Sequence, residues 1–295
     1  MNISQYLQEH HAVPVTVGKS GAEVFYLDNG MTAKYAKKDT VSEDIRNHCV
    51  REARFYESIA ARKLPYLSQI LHLHITVDET LIIMRRHTPL TADQLTGQKL
   101  DKIFAALAAF HKETPPDFLI PDAASAPPYL DVQTAAACME GWLSVLREHH
   151  PVFSDDTAFP GLAAEQFNRI NQIHALQNPV LCHGDFHLGN ILWDDHDNPI
   201  FCDFQSCGIG DGCSDLSFFL SRLSADGALI DHEDIVQIYS GYSGLSVREI
   251  HNRMALSNFN TSFLFWHQYL HGSDITRVRK IFDAMKSDFA YLCAE

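Results

Sequence analysis

The hydrophobic pattern of this chain turns from mainly strand-like to mainly helical at about residue 98, and that change limits the fold more than any other feature. Before it, apolar residues alternate or run in short blocks: Val13 to Thr16, Ala22 to Leu27, Met31 to Lys37, Ile70 to Val77 and Thr80 to Arg85. Such runs are the signature of strands, and Asp28-Asn29-Gly30 between two of them is a hairpin turn signal. One segment differs. Ile45, Cys49, Glu52, Phe55, Tyr56 and Ile59 recur at three- and four-residue intervals, which predicts a helix. After the change, Leu100, Ile103, Phe104, Leu107 and Phe110 form an apolar helical stripe. Thr114 to Pro128 holds five of the twelve prolines and reads as an irregular connection. Helices are expected near 129–149 and 161–177, then short strands at Val180 to Cys182, Ile191 to Trp193 and Pro199 to Phe204, then helices to the end. The expected fold class is α+β. A small antiparallel sheet with one helix occupies residues 1–88, and a larger, mainly helical lobe occupies 89–295, with a short hinge near Met84 to Leu90.

Charge and composition narrow the function. At 295 residues with 46% hydrophobic content, the chain can bury a sizeable core. A formal net charge of −14 argues against a nucleic-acid partner, which needs a concentrated basic face. No apolar run approaches the roughly 20 residues that span a bilayer, so no membrane partner is expected. The N-terminal MNISQYLQEHHAVPV lacks the basic and apolar regions of a signal peptide, and the seven cysteines are scattered without a C-x-x-C pair. Reduced thiols in a cytoplasmic protein are the expectation. Cys182, Cys202, Cys207 and Cys213 fit no zinc spacing, and His72-Leu-His74 alternates like a strand.

The chemistry concentrates in Leu181-Cys-His-Gly-Asp-Phe-His-Leu-Gly-Asn-Ile-Leu-Trp193 and Ile200-Phe-Cys-Asp-Phe-Gln205. Two short strands flank a polar loop, and a third strand delivers a carboxylate at its end. Phosphoryl transfer from a nucleotide needs a carboxylate to orient the acceptor hydroxyl, and hard oxygen ligands to hold a divalent cation against the phosphates. Asp185 can supply the first. Asn190 and Asp203 can supply the second, giving oxygen ligation to Mg2+ without piling up negative charge beside the phosphates. Upstream, Gly18-Lys-Ser-Gly21 can form a turn whose backbone N–H groups face phosphate oxygens. It is not a Walker loop, so the P-loop fold is excluded. Of Lys34, Lys37 and Lys38 on the next strand, Lys37 fits an inward-facing strand end. Glu52, on the apolar stripe of the first helix, needs a partner, and Lys37 is the expected one, with Glu43 and Glu57 as the other acidic candidates.

Together, His183-Gly-Asp185, Asn190 and the Asp203-Phe pair resemble the catalytic and metal-binding loops of the aminoglycoside phosphotransferase and choline-kinase-like families, relatives of the protein kinases. Asp203-Phe-Gln-Ser-Cys-Gly-Ile-Gly-Asp211 through Asp215-Leu216 is similar to the run that follows in those families, and Leu107-Ala-Ala-Phe-His111 to one of their helix ends. The resemblance implies a bilobal protein-kinase-like fold. It implies that Asp185 orients or deprotonates the acceptor, that Asn190 and Asp203 bind magnesium, and that Asp215 props the catalytic loop. It also places Ser20, Gly21, Lys37, Glu52 and Met84 at the nucleotide. The implied activity moves the γ-phosphoryl group of ATP or GTP to a small-molecule hydroxyl, such as an amine-bearing alcohol. A catalytically silent nucleotide- or ligand-binding protein is the alternative, and the presence of Asp185, Asn190 and Asp203 speaks against it. No A-P-E segment follows Asp203, which argues against a protein substrate. Gln205 stands where protein kinases carry a glycine, as in the choline/ecdysteroid-kinase-like branch, so a flexible hinge there is not expected. His183 would fix the loop by hydrogen bonding, and His187 would either touch substrate or pack the loop. Asp211, Glu233, Asp234, Trp266, His267 and Tyr269 could line an acceptor pocket or serve the fold.

Overall fold

The computed structural model describes residues 3–15, 22–120, 129–225 and 230–294. The chain begins with helix α1 (Ile3–Glu9), strands β1 (Val13–Val15), β2 (Glu23–Tyr26) and β3 (Met31–Lys37), and helix α2 (Glu43–Ile59). Strands β4 (Ile70–Ile75), β5 (Glu79–Arg85) and β6 (Thr88–Pro89) precede helices α3 (Gly97–His111), α4 (Val132–Glu148) and α5 (Phe159–Ile173). Strands β7 (Val180–Cys182), β8 (Ile191–Trp193), β9 (Pro199–Phe201) and β10 (Gly208–Gly210) follow. Helices α6 (Gly212–Ala225), α7 (His232–Ser243), α8 (Val247–Phe265) and α9 (Ile275–Ala294) complete the chain.

These elements sort into two compact units, one made of residues 1–120 and 180–243, the other of 121–179 and 244–295. In the first, five antiparallel strands run in the order β1-β2-β3-β5-β4. The sheet is covered on both faces. On one, Ile3 of α1 joins Leu27, Ala33, Leu81 and Ile83 in a buried cluster. The other carries α2, which buries Cys49, Glu52, Ala53, Phe55, Tyr56 and Ile59. Double coverage removes the need for alternation in β5, where Leu81, Ile82, Ile83 and Met84 are all buried. Ser42 caps α2 by accepting from the Ile45 N–H at 3.4 Å, and Glu43 and Asp44 in its first turn complement the helix dipole.

Later in the same unit, two small antiparallel pairings, β7 with β10 and β6-β8-β9, bracket the loop from His183 to Asn190. Short strands suit this purpose: each fixes one end of a loop and leaves the loop itself to side-chain hydrogen bonds.

The second unit is a helical assembly with an aromatic interior. Trp142 of α4, Phe153, Phe167 of α5, Phe259 and Phe263 of α8, and Phe282 and Met285 of α9 are fully buried in one cluster. The Trp142 indole N–H donates to the Phe263 carbonyl at 3.1 Å, so its polar edge is satisfied within the core. A capping box between Ser246 and Glu249 starts α8.

Candidate active site

Every described residue of the expected catalytic constellation lies in the first unit. Asp185, Asn190 and Asp203 sit on the loops that β7, β8 and β9 deliver, as the flanking apolar runs require. The Asn190 amide nitrogen donates to the Asp185 carbonyl at 2.9 Å and to its Oδ2 at 3.1 Å. With its nitrogen engaged, Asn190 has its amide oxygen as the atom that could meet a cation. The Cys202 N–H donates to the Asn190 carbonyl at 3.0 Å, which brings the strand end carrying Asp203 alongside.

The His187 imidazole is the strongest influence on Asp185. Its Nε2 lies 3.7 Å from Oδ2, a polar contact rather than an aligned hydrogen bond, while Nδ1 accepts the Gly189 N–H at 3.1 Å. His187, His183 and Asn190 hold the Asp185 carboxyl below the ordinary aspartate range against the opposing effect of burial. Asp185 is therefore an anion near neutral pH, suited to orienting a hydroxyl and taking its proton as transfer proceeds.

Gly184 is irreplaceable for a steric reason. Its φ is +80°, and a Cβ there would lie 2.1 Å from the Ser206 carbonyl oxygen. His183 is fully buried and satisfied on both nitrogens, Nε2 donating to the Cys202 carbonyl at 2.9 Å and Nδ1 accepting the Asp185 N–H at 3.3 Å. Burial lowers its pKa and keeps it neutral. Asp215 accepts from the His183 N–H at 2.7 Å and the Gly184 N–H at 2.8 Å, so it props the loop from beneath.

The lysine differs from expectation. Lys37 is exposed at the end of β3, in register with Glu79, and does not meet Glu52. Lys34 does: its Nζ is 2.6 Å from Glu52 Oε2 and 2.8 Å from Asp203 Oδ1. Strand parity is the reason. Residues 33, 35 and 37 face one side of the sheet, and Ala33 belongs to the α1 cluster; Lys34 and Ala36 face the other, where α2 brings Glu52. Burial works against the Lys34 ammonium, but Glu52 and then Asp203 outweigh it, and its pKa is raised above the ordinary lysine value. Met84 is paired opposite Thr32 and so shares the Lys34 face. Ser20 and Gly21 lie outside the described residues.

Helix α2 is tied to the segment after Asp203 at three points. Phe204 stacks on Phe55 with ring centroids 4.3 Å apart, the Gln205 amide reaches Cys49 Sγ at 3.5 Å, and Arg51 donates to the Cys207 carbonyl at 2.6 Å. Gln205 is thus a buried tether, not a hinge. Asp203 itself has a φ of +65°, a left-handed conformation that Asp tolerates better than most residues. Burial, with Asp203 nearby, pushes the Cys202 thiol up to about 12, so it stays protonated near neutral pH. Of the possible acceptor-pocket residues, Asp211, Glu233 and Asp234 belong to the first unit and Trp266, His267 and Tyr269 to the second.

Sequence reasoning preferred Lys37 to Lys34, named His111 only as part of a family-like helix end, and missed Tyr239, which meets His111 behind the loop. The signal for Lys34 was present: it shares parity with Ala36, not with Met31, Ala33 and Tyr35.

No curated protein matches the chain in sequence. Among solved structures, the streptomycin–ATP–APH(2'')-IIa ternary complex is 14% identical with a TM-score of 0.58, covering 99% of this chain and 95% of that one. Choline kinase LicA from Streptococcus pneumoniae is 12% identical with a TM-score of 0.58, covering 99% and 98%. Plasmodium vivax ethanolamine kinase is 11% identical with a TM-score of 0.57, covering 94% and 82%. At such identities the likeness shows a shared kinase-like α+β fold. Residues 18–249 match the model of the phosphotransferase enzyme family, and this chain belongs to that family.

Proposed function

We propose that this phosphotransferase is a small-molecule kinase that moves the γ-phosphoryl group of ATP or GTP onto a hydroxyl. The observation that carries the reading is the joining of Lys34, Glu52 and Asp203 within one hydrogen-bonding distance, beside a loop that presents Asp185 and Asn190. In this reading residues 1–88 cover the nucleotide, and 89–295 supply catalysis and acceptor binding. Lys34 contacts the α- and β-phosphates, and Glu52 keeps its ammonium in place. Met84 borders the nucleotide on the same sheet face. Asn190 and Asp203 would hold Mg2+, a set of few protein oxygens that suits a cation retaining several waters and phosphate ligands. The ion would supply charge neutralisation at the phosphates when bound.

Asp185 would orient the acceptor hydroxyl and receive its proton. With its pKa held low, it serves better as an orienting anion than as a strong base, which fits phosphoryl transfer with late proton movement. The acceptor is proposed to be a small alcohol, and the amine-bearing alcohols and aminoglycosides named for the similar structures are the first to try.

The test is turnover. The protein is incubated with ATP or GTP, magnesium and a panel that includes streptomycin, choline and ethanolamine, and phosphorylated product is followed by 31P NMR. At least one acceptor should be phosphorylated, with Asp185→Ala losing on the order of 10³-fold or more. Transfer that survives Asp185→Ala at the wild-type rate would contradict the assignment.

A further inference from the structure

A pocket of about 470 Å³ opens between helix α2 and the start of β4, and none of Lys34, Glu52, Met84, Asn190 or Asp203 lines it. Tyr56 and Ile59 reach it from α2, and Leu64, Leu67 and Ile70 from the segment that follows. These side chains give the pocket hydrocarbon walls.

Both walls are held in place by contacts outside the pocket. The Tyr56 ring meets Phe204 edge-on, with centroids 5.6 Å apart. On the other side, the Tyr66 carbonyl accepts the Phe201 N–H at 2.8 Å, and Ser68 Oγ donates to the Arg85 carbonyl at 3.0 Å. Arg62 donates to the Thr114 carbonyl at 2.7 Å, which ties down the turn after α2. Walls tied in this way do not close on one another, so the apolar lining lacks contacts that an occupant would supply.

Charge selects the occupant. The chain carries a formal net charge of −14, yet among the described residues no carboxylate lines this pocket and Lys63 does. Arg62 beside it is paired with Glu113 at 3.3 Å, whereas Lys63 is exposed and has no ion-pair partner among the described residues. Gln69, also exposed, adds an amide that can donate. An anion here gains the attraction of Lys63 and meets no like charge in the lining, while a cation meets only repulsion.

We propose that this pocket is a binding site for a small apolar monocarboxylate, separate from the nucleotide site: the hydrocarbon body lies against Tyr56, Ile59 and Leu67, and the carboxylate meets Lys63.

The test titrates octanoate into the protein with its isoleucine δ1 methyls labelled with 13C, the signals being assigned through Ile59→Val and Ile70→Val. The Ile59 and Ile70 methyls should move together and saturate, with a dissociation constant of about 5 mM or less for a ligand of this size. Octanamide, which keeps the hydrocarbon and loses the charge, should bind about fivefold more weakly, the effect of one exposed ion pair. Lys63→Glu changes an exposed side chain and should weaken octanoate about tenfold while leaving octanamide unchanged. Magnesium-ATP should leave the octanoate shifts in place. Four results would overturn the proposal: no saturable movement of these methyls by about 50 mM octanoate, octanamide binding as tightly as octanoate, a Lys63→Glu protein that binds octanoate as wild type does, or displacement of octanoate by magnesium-ATP.

Discussion

In the unit formed by residues 1–120 and 180–243, the interior holds Glu52, His111, His183, Asn190, Gln205 and Asp215; in the other, the buried polar side chains among the described residues are Asn171 and Ser262, amid phenylalanines and Trp142. Burying charge is costly unless it is paired and hydrogen-bonded. The first unit gives Asp215 three donors and Glu52 the Lys34 ammonium. The second unit, built on aromatic packing, pairs partly buried Asp156 with Arg279 and Lys286 but also holds a carboxyl of a different character. Burial alone pushes Asp288 of α9 up to about 7. The contrast teaches where charge is placed for chemistry and where it is a burden.

The largest expected effect comes from splitting the Lys34–Glu52 pair. Lys34→Ala leaves Glu52 buried without its cation and should cost about 3–5 kcal/mol in denaturant unfolding, with loss of nucleotide binding. Lys37→Ala, on an exposed side chain, should change stability by less than about 0.5 kcal/mol. Equal effects from the two would break the strand-parity assignment.

That assignment also marks the boundary of what could be read from the sequence. Their joint spacing, read with the family resemblance, singled out Asp185, Asn190 and Asp203, because short apolar strands force the loops between them to be polar and to turn. It located α2 and Glu52 through their three-and-four recurrence. It chose Lys37 over Lys34, since Tyr35-Ala36-Lys37 looks apolar and inward until α1 is seen covering that face. Helix α1 itself is only seven residues long, too short for periodicity to announce it. His111 and Tyr239 lie far apart in sequence, so their hydrogen bond, and the contact of His111 with Asp215, depend on packing that no local pattern encodes.

The two carboxyls give opposite pH signatures, which sharpen the comparison. The Asp215 pKa is depressed in the folded protein, so its stabilisation is present above the unfolded value near 3.8 and is lost as pH falls through the folded value. Asp215→Asn should therefore lower Tm near neutral pH, and the gap to wild type should narrow below pH 4. The Asp288 pKa is raised, so stability is greatest below the unfolded value near 3.8 and declines as pH rises toward about 7. Asp288→Asn should raise stability on the order of 1–2 kcal/mol above pH 7, allowing for partial solvent contact, with the gain vanishing near pH 4. Melting curves across pH 3.5–8 would read both, and parallel profiles for the two variants would erase the distinction.

The most direct measurement is nucleotide binding by thermal shift, with ATP and GTP, with and without magnesium, on wild type and Asp203→Ala. Ligand in excess over its dissociation constant raises Tm. The expected result is a magnesium-dependent rise in wild type that is lost in Asp203→Ala. A folded wild type that shifts with neither nucleotide, or an Asp203→Ala protein that shifts as wild type does, would contradict the nucleotide site at Lys34, Glu52 and Asp203.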